Sequence, residues 1–340
     1  MKKSTWLNAA LLGSAMTLGL TLGLTGGASA QAIKFSYPVA KTSTMGQTVD
    51  HFGALIEKST NGALKVRGFP DAQLGNEIQS ASSAQGGIVE MAVTTTAALA
   101  STVKDFDLFQ LPFQFPTYQE LDTVLRGKTA RTMLDKLSAS NLIGLCYWDY
   151  GFRNVTNNKR PIEKLEDMNG LRIRTIQNAV YLDVLKALGM NPTPLPFPET
   201  FTAIETGAID GNEVANDVTR ATSFYEVQKY LTETRHFPTS SVVLVSKRFW
   251  DKLDTQKQDA MRAACDEAAI FNRKAIEASD VDTRKFLTDK GMQINKISDE
   301  NMQKVREAVK PIIERVTAGL DQEVVKSFNA ERDAAKAKSQ

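Results

Sequence analysis

Residues 170–216 decide the fold: GLRIRT at 170–175, an amphipathic segment closing in ALGMNPTPLPFPET at 187–200, then AIETGAIDGNEVAN at 203–216. A short apolar run ends in Arg174 and is followed by a helix, a proline-rich strand and a second polar loop. Strand, helix and strand in that order form the unit of a parallel α/β sheet, whose ligands sit beyond the carboxyl ends of the strands. Arg174 therefore stands where a carboxylate could be gripped, because a planar, permanently charged guanidinium meets it with two parallel N–H···O bonds. A structural salt bridge or a solvent-facing arginine fits the same pattern.

The alternation extends through the chain. Ile33 to Val39 reads as a strand, the apolar positions Val49, Phe52, Leu55 and Ile56 as a helix stopped by Asn61-Gly62, and Leu64 to Phe69 as a second strand. A helix from Asn76 to Gln85 then leads to a strand at Ile88–Val93 that opens into Thr94, Thr95 and Thr96. Asn141–Trp148, Leu171–Arg174 and Val242–Ser246 read as further strands, which predicts open, mostly parallel sheets. In the carboxyl third, Met302, Val305, Val309, Ile312, Val316, Leu320 and Val324 recur every three or four residues, one face of a long helix that Pro311 is expected to bend. The charged, alanine-rich tail after Phe328 reads as a solvated end.

At the amino terminus Lys2 and Lys3 precede an apolar, uncharged stretch from Leu7 to Leu24 and then Ala28-Ser29-Ala30. This is a secretory signal peptide pattern with cleavage expected after Ala30. The 41 basic residues, less Lys2 and Lys3, balance the 39 acidic ones, so neither nucleic acid nor an anionic membrane is an expected partner. What remains is long enough for two domains. Cys146 lies in an apolar run and Cys265 in an alanine-rich helical pattern, and both read as buried free thiols rather than a pair.

Motifs for chemistry are missing from the sequence. His51 and His236 are far apart, no HExxH, CxxC or GxSxG occurs, and Gly127-Lys128-Thr129 lacks the first glycine of a phosphate loop because Asp122 stands there. No metal or cofactor is expected, and no pair of carboxylates singles itself out for acid–base work.

Five phrases in order, PDAQLGNEIQ (70–79), GFRNVTNNKRPI (151–162), GLRIRT with ALGMNPTPLPF, TAIETGAIDGNE (202–213) and VVLVSKRFWDKL (242–253), resemble the extracytoplasmic substrate-binding subunits of TRAP (tripartite ATP-independent periplasmic) transporters. The resemblance implies two α/β lobes joined by crossing strands and a long helix, closing on ligand as a clamshell. Lobe one is expected at 31–150 plus 240–278, and lobe two at 151–239 plus 279–340, including the long carboxyl-terminal helix. It also implies a periplasmic, non-enzymatic receptor that binds a small organic acid and delivers it to a membrane permease. An exported hydrolase using the cleft, or a ligand-sensing subunit, are the rival readings, and oligomeric state is open.

By the same resemblance Arg174 grips the ligand carboxylate, and Arg153 offers a second contact or else an interlobe ion pair. Phe197 would form an apolar wall, Thr95 would be favoured among the three threonines for the distal end of the ligand, and the first-strand exit at Tyr37 and Pro38 would be a further contact. Many relatives read DGQENP where this chain has Asp210-Gly211-Asn212-Glu213-Val214. Val214 replaces a polar contact, which moves to Asn212 or Asn216 or is lost, while Glu213 could bind hydroxyls of a sugar acid.

Overall fold

A computed structural model describes residues 31–339; the expected signal peptide, residues 1–30, lies outside them. Ten strands are present among the described residues: β1 (Gln31–Ser36), β2 (Leu64–Phe69), β3 (Met91–Thr95), β4 (Leu142–Asn157), β5 (Arg172–Thr175), β6 (Asn191–Pro194), β7 (Gly211–Ala215), β8 (Tyr230–Thr232), β9 (Pro238–Ser246) and β10 (Gln293–Asn295). They run in the order β2-β1-β3-β9-β4-β7-β5-β6, with β8 joining β4 and β10. The outer pairs β1/β2, β1/β3, β5/β6 and β5/β7 are parallel, as a βαβ reading requires. The centre differs from the expectation of parallel sheets: β9 is antiparallel to β3 and β4, and β4 is antiparallel to β7 and β8.

Strand β4 is longer than its apolar stretch LIGLCYW, continuing through DYGFRNVTN. Most polar residues survive there because they find side-chain partners: Asp149 meets Arg273, Arg153 meets Glu213, Asn154 meets Asn216 and Thr156 meets Asn212. Its register against β9 shifts between Asp149 and Phe152, where Gly151 adopts a φ of +98° that side-chain-bearing residues avoid.

Around the first strands, Phe35, Phe52 and Trp148 meet with ring centroids 5.8 Å apart, tying β1, the helix Thr44–Ser59 and β4 together. Burying three such rings removes apolar surface worth several kcal/mol. The helix Thr255–Asp289, 35 residues long, packs along β4 and along the helix Thr44–Ser59.

That contact overturns the free-thiol expectation: Cys146 and Cys265 form a disulfide, their Cα atoms 6.0 Å apart. Trp148 Nε1 donates to the Cys265 carbonyl at 3.2 Å beside it. Two residues 119 apart in the chain become neighbours only once the helix lies on the strand.

The apolar stripe after Met302 also divides. One helix spans Asp299–Ala318 with Pro311 inside it, and a second spans Gln322–Ser339, the break falling at Gly319–Asp321. The tail is not a solvated end: Phe328 is fully buried against Phe109 and Phe115, and Ala335 is buried with it. This last helix lies on the helices Tyr118–Leu125 and Lys128–Lys136. Glu331 there accepts from Thr129 N at 3.0 Å, occupying the helix start that mimicked a phosphate loop. No helix among the described residues is long and apolar enough to cross a membrane.

Candidate functional site

Arg174 is the penultimate residue of β5, one strand in from the sheet edge. Edge strand β6 contains Pro192 and Pro194, residues an edge tolerates because no ladder N–H is demanded of them. The chain leaving that strand turns the Leu195 carbonyl toward Arg174, which donates to it through Nε at 2.9 Å and Nη2 at 2.8 Å. This fixes the guanidinium and leaves its Nη1–Nη2 edge, the fork that fits a carboxylate, unspent. Arg174 is 3% exposed and makes no ion pair among the described residues. Burial, helped by nearby Arg153, lowers its pKa to about 10, so the guanidinium still carries its charge at neutral pH. The Phe197 ring lies 5.5 Å from its Cζ.

Arg153 is equally buried, but its charge is answered. Its Nε and Nη2 reach the Glu213 carboxylate, the latter at 2.7 Å from Oε1, and Nη1 lies 3.4 Å from Thr239 Oγ1. Glu213 is wholly buried on β7, directly across from β4, and also accepts from Thr175 Oγ1 at 2.5 Å, with His236 Nε2 3.3 Å away. Burial alone would raise the Glu213 pKa; the Arg153 charge and the hydrogen bonds override it and hold the group down to about 2.

Of the three threonines, Thr95 faces the cleft. Its Oγ1 accepts from Ala98 N at 3.3 Å, capping the helix Thr96–Leu99, and it donates to Glu77 Oε2 at 3.1 Å. Thr96 instead meets Ser240 O and Gln110, and the Thr94 hydroxyl is buried without a partner. Thr95 N also donates to Glu77 Oε1 at 3.1 Å. Glu77 is placed by a capping box in which Asn76 and Gln79 exchange side-chain and backbone bonds, starting the helix Glu77–Gly86. Burial raises its pKa, against the lowering pull of Thr95, Arg174 and Arg153.

Arg153, Arg174, Phe197, Thr95 and Val214 line one cleft of ≈ 380 Å³ including its mouth. Pro38, Val39, Glu77, Tyr150, Ile176 and Thr239 complete much of its wall. Larger hollows of ≈ 940 Å³ and ≈ 1090 Å³ lie elsewhere; the first is lined by Asp122 and Asp149, whose charges Arg273 answers.

Tyr37, Asn212 and Glu213 are close by without lining the cleft. Tyr37 packs in the core beneath Pro38, and its pKa is pushed up to about 12 by burial and then by Asp50 and Asp71. Asn212 pairs with Thr156 Oγ1 at 2.7 Å, and Asn216 with Asn154 at 2.9 Å, both away from the cleft. Alternation puts Asn212 and Val214 on one face of β7, so position along the strand separates them: Val214, nearer the carboxyl end, lines the cleft, and Asn212 is taken by Thr156. Glu77 and Tyr150 were not singled out from the sequence, although the phrases PDAQLGNEIQ and WDYGFRN contain or adjoin them.

The arrangement presents one unanswered cation, one half-buried carboxylate and apolar walls. The Glu213 carboxylate is taken up by Arg153 and Thr175, and the described residues hold no cluster fit for a metal ion.

The family model for bacterial extracellular solute-binding protein, family 7 (DctP), matches residues 35–319. The sugar acid binding protein of Advenella mimigardefordensis, solved with galactonate, superposes with a TM-score of 0.88 at 38% identity, covering 90% of this chain and 99% of that one. A TRAP periplasmic solute binding protein from Polaromonas, bound to D-erythronate, does so with a TM-score of 0.84 at 32% identity, covering 89% and 98%. The C4-dicarboxylate-binding periplasmic protein of Rhodobacter capsulatus is 33% identical over 82% of this chain and 86% of its own. With a matching family model over most of its length and a two-sided cleft built around a buried arginine, the chain belongs to family 7 of the bacterial extracellular solute-binding proteins, the solute receptors of TRAP transporters.

Proposed function

We propose that this protein captures a small organic acid from the periplasm, holding its carboxylate on Arg174, and presents it to the membrane permease of a TRAP transporter. The observation that carries the reading is Arg174 itself: a buried guanidinium, pinned by the Leu195 carbonyl, with its carboxylate-binding edge unspent and no ion-paired acid among the described residues. Burying an unanswered charge is costly, and an arriving carboxylate offsets that cost. Arg153 acts beside it as a fixed cation whose own partner is Glu213, and Thr95, Phe197 and Val214 are the remaining contacts of the set.

Residues 1–30 are removed as a signal peptide in this reading. The lobes are 31–150 plus 240–278, and 151–239 plus the chain to about the end of the helix Asp299–Ala318, with the helix Gln322–Ser339 seated on the first lobe, where it packs. Pro38, Val39, Glu77 and Thr95 reach the cleft from the first, and Arg153, Arg174 and Phe197 from the second, so a bound acid touches both and favours their closed arrangement by its extra affinity for it. No turnover is involved.

Calorimetric titration of purified protein with single organic acids tests the reading. One acid should bind stoichiometrically without being consumed, and Arg174→Ala should lose it. Undiminished affinity in that variant would sink the assignment.

A further inference from the structure

The cleft has a second charged group that the carboxylate clamp does not use. Glu77 faces the same cleft as Arg174 without forming an ion pair with it or with any other cation among the described residues. Thr95 N and Oγ1 hold its two oxygens at 3.1 Å each, one bond apiece, so each keeps capacity to accept another hydrogen bond. The groups around it are Arg174 and Arg153, Tyr150 on β4 and the Thr95 hydroxyl. Tyr150 lines the cleft, and its buried hydroxyl has no hydrogen-bond partner among the described residues. Two acceptor oxygens and an unpartnered phenol share the cleft with a guanidinium fork, a combination that calls for a ligand with one anionic group and several hydroxyls.

Resting on the reading of Arg174 as the carboxylate clamp, we infer that Glu77 makes the cleft selective for polyhydroxylated monocarboxylates, the sugar acids, and against dicarboxylates. Ligand hydroxyls donate to Glu77 and meet Tyr150, and C–H faces lie on Phe197, Ile176, Val214 and Val218. A second carboxylate in the same place would bring like charges together in a partly desolvated site and could donate nothing to Glu77. Specificity then comes from repulsion as well as attraction. Val214 fits the same division, because an apolar surface there serves ring or chain carbons and offers a second carboxylate no donor.

The experiment compares D-galactonate, D-erythronate and succinate on the full-length mature protein, by calorimetry at neutral pH, for wild type, Glu77→Gln and Arg174→Ala. Wild type should bind at least one of the two sugar acids at least tenfold tighter than succinate. Glu77→Gln should keep the apo melting temperature within a few degrees and shift the sugar acid to succinate affinity ratio at least tenfold toward succinate. Should that variant fail to fold, Thr95→Val, which frees Glu77 from its holder, must move the ratio in its place. A wild type that prefers succinate or binds none of the three probes, or a ratio unmoved by either substitution, overturns the inference. Arg174→Ala separates the two readings: if it abolishes binding of whichever probe wild type takes, the clamp stands whatever Glu77 does.

Discussion

Two arginines on neighbouring parts of the sheet differ in everything but burial. Arg153, on β4, is enclosed by the Glu213 carboxylate on two of its nitrogens, by Thr239 and by the Tyr181 ring at 5.4 Å. Arg174, on β5, has a backbone carbonyl and the Phe197 ring, and no ion-paired acid among the described residues. The first is charge balanced within the fold, so its interactions exist before ligand arrives. The second is left in deficit, and on the proposed reading a ligand anion fills it. A buried arginine becomes informative about function when the partners it lacks are counted alongside those it has.

The contrast breaks most visibly on the fold side. Arg153→Ala strands Glu213 in a buried site, and chemical denaturation should register a loss of about 3–5 kcal/mol, while Arg174→Ala leaves apo stability unchanged or raised. On the ligand side the ranking inverts: Arg174→Ala should cost about 2–5 kcal/mol in calorimetric binding, thirtyfold or more. If Arg153→Ala is the milder of the two in denaturation, the balanced and deficient roles have been assigned backwards.

Acid sharpens the comparison. The Glu213 pKa is depressed in the folded state to about 2 from an ordinary value of 4.5. Its contribution to stability is therefore fully present above about pH 4.5 and is lost as pH falls from there through about 2. In Arg153→Ala the burial penalty is no longer overridden, so the remaining carboxylate protonates at higher pH and this acid-side loss disappears from the denaturation midpoints measured between pH 5 and 2. The smallest effect belongs to Phe197→Ala, which removes a ring beside Arg174 and should weaken ligand about fivefold, about 1 kcal/mol, with no change in acid stability.

Much of this division was legible in the sequence, and the limits have physical causes. GLRIRT placed Arg174 at a strand end because an apolar run followed by a helix leaves few other arrangements, and the Pro-rich strand behind it explains the carbonyl that pins it. Val214 and Thr95 line the cleft, whereas Tyr37, Asn212 and Glu213 turn inward to core or neighbouring strand, a difference of one or two positions that depends on local pleat and register. The partnership of Glu213 with Arg153 was invisible for another reason. It is a contact across antiparallel strands 60 residues apart, and the antiparallel centre of the sheet was itself not anticipated. Glu77 escaped notice because a lone glutamate in a helix start is ordinarily solvated, and only the fold brings a threonine loop over it. The tail after Phe328 misled through composition: alanines and charges read as solvent exposed, while the one phenylalanine supplied the anchor.

The bond between Cys146 and Cys265 turns the intervening chain into a closed ring. Tyr150, Arg153, Arg174, Phe197, Val214 and Thr239 all lie on that ring, while Pro38, Val39, Glu77 and Thr95 lie on the free arm that precedes it. One protease cut anywhere between the two cysteines would leave a single covalent molecule, separable into fragments only by a reductant. In the denatured chain the same ring limits how far the anion-gripping residues can wander from one another, a restriction worth about 4–5 kcal/mol for a loop on the order of 100 residues. The wall that carries the two arginines is thus a lariat that survives nicking, and the wall that carries Glu77 and Thr95 is a thread that does not.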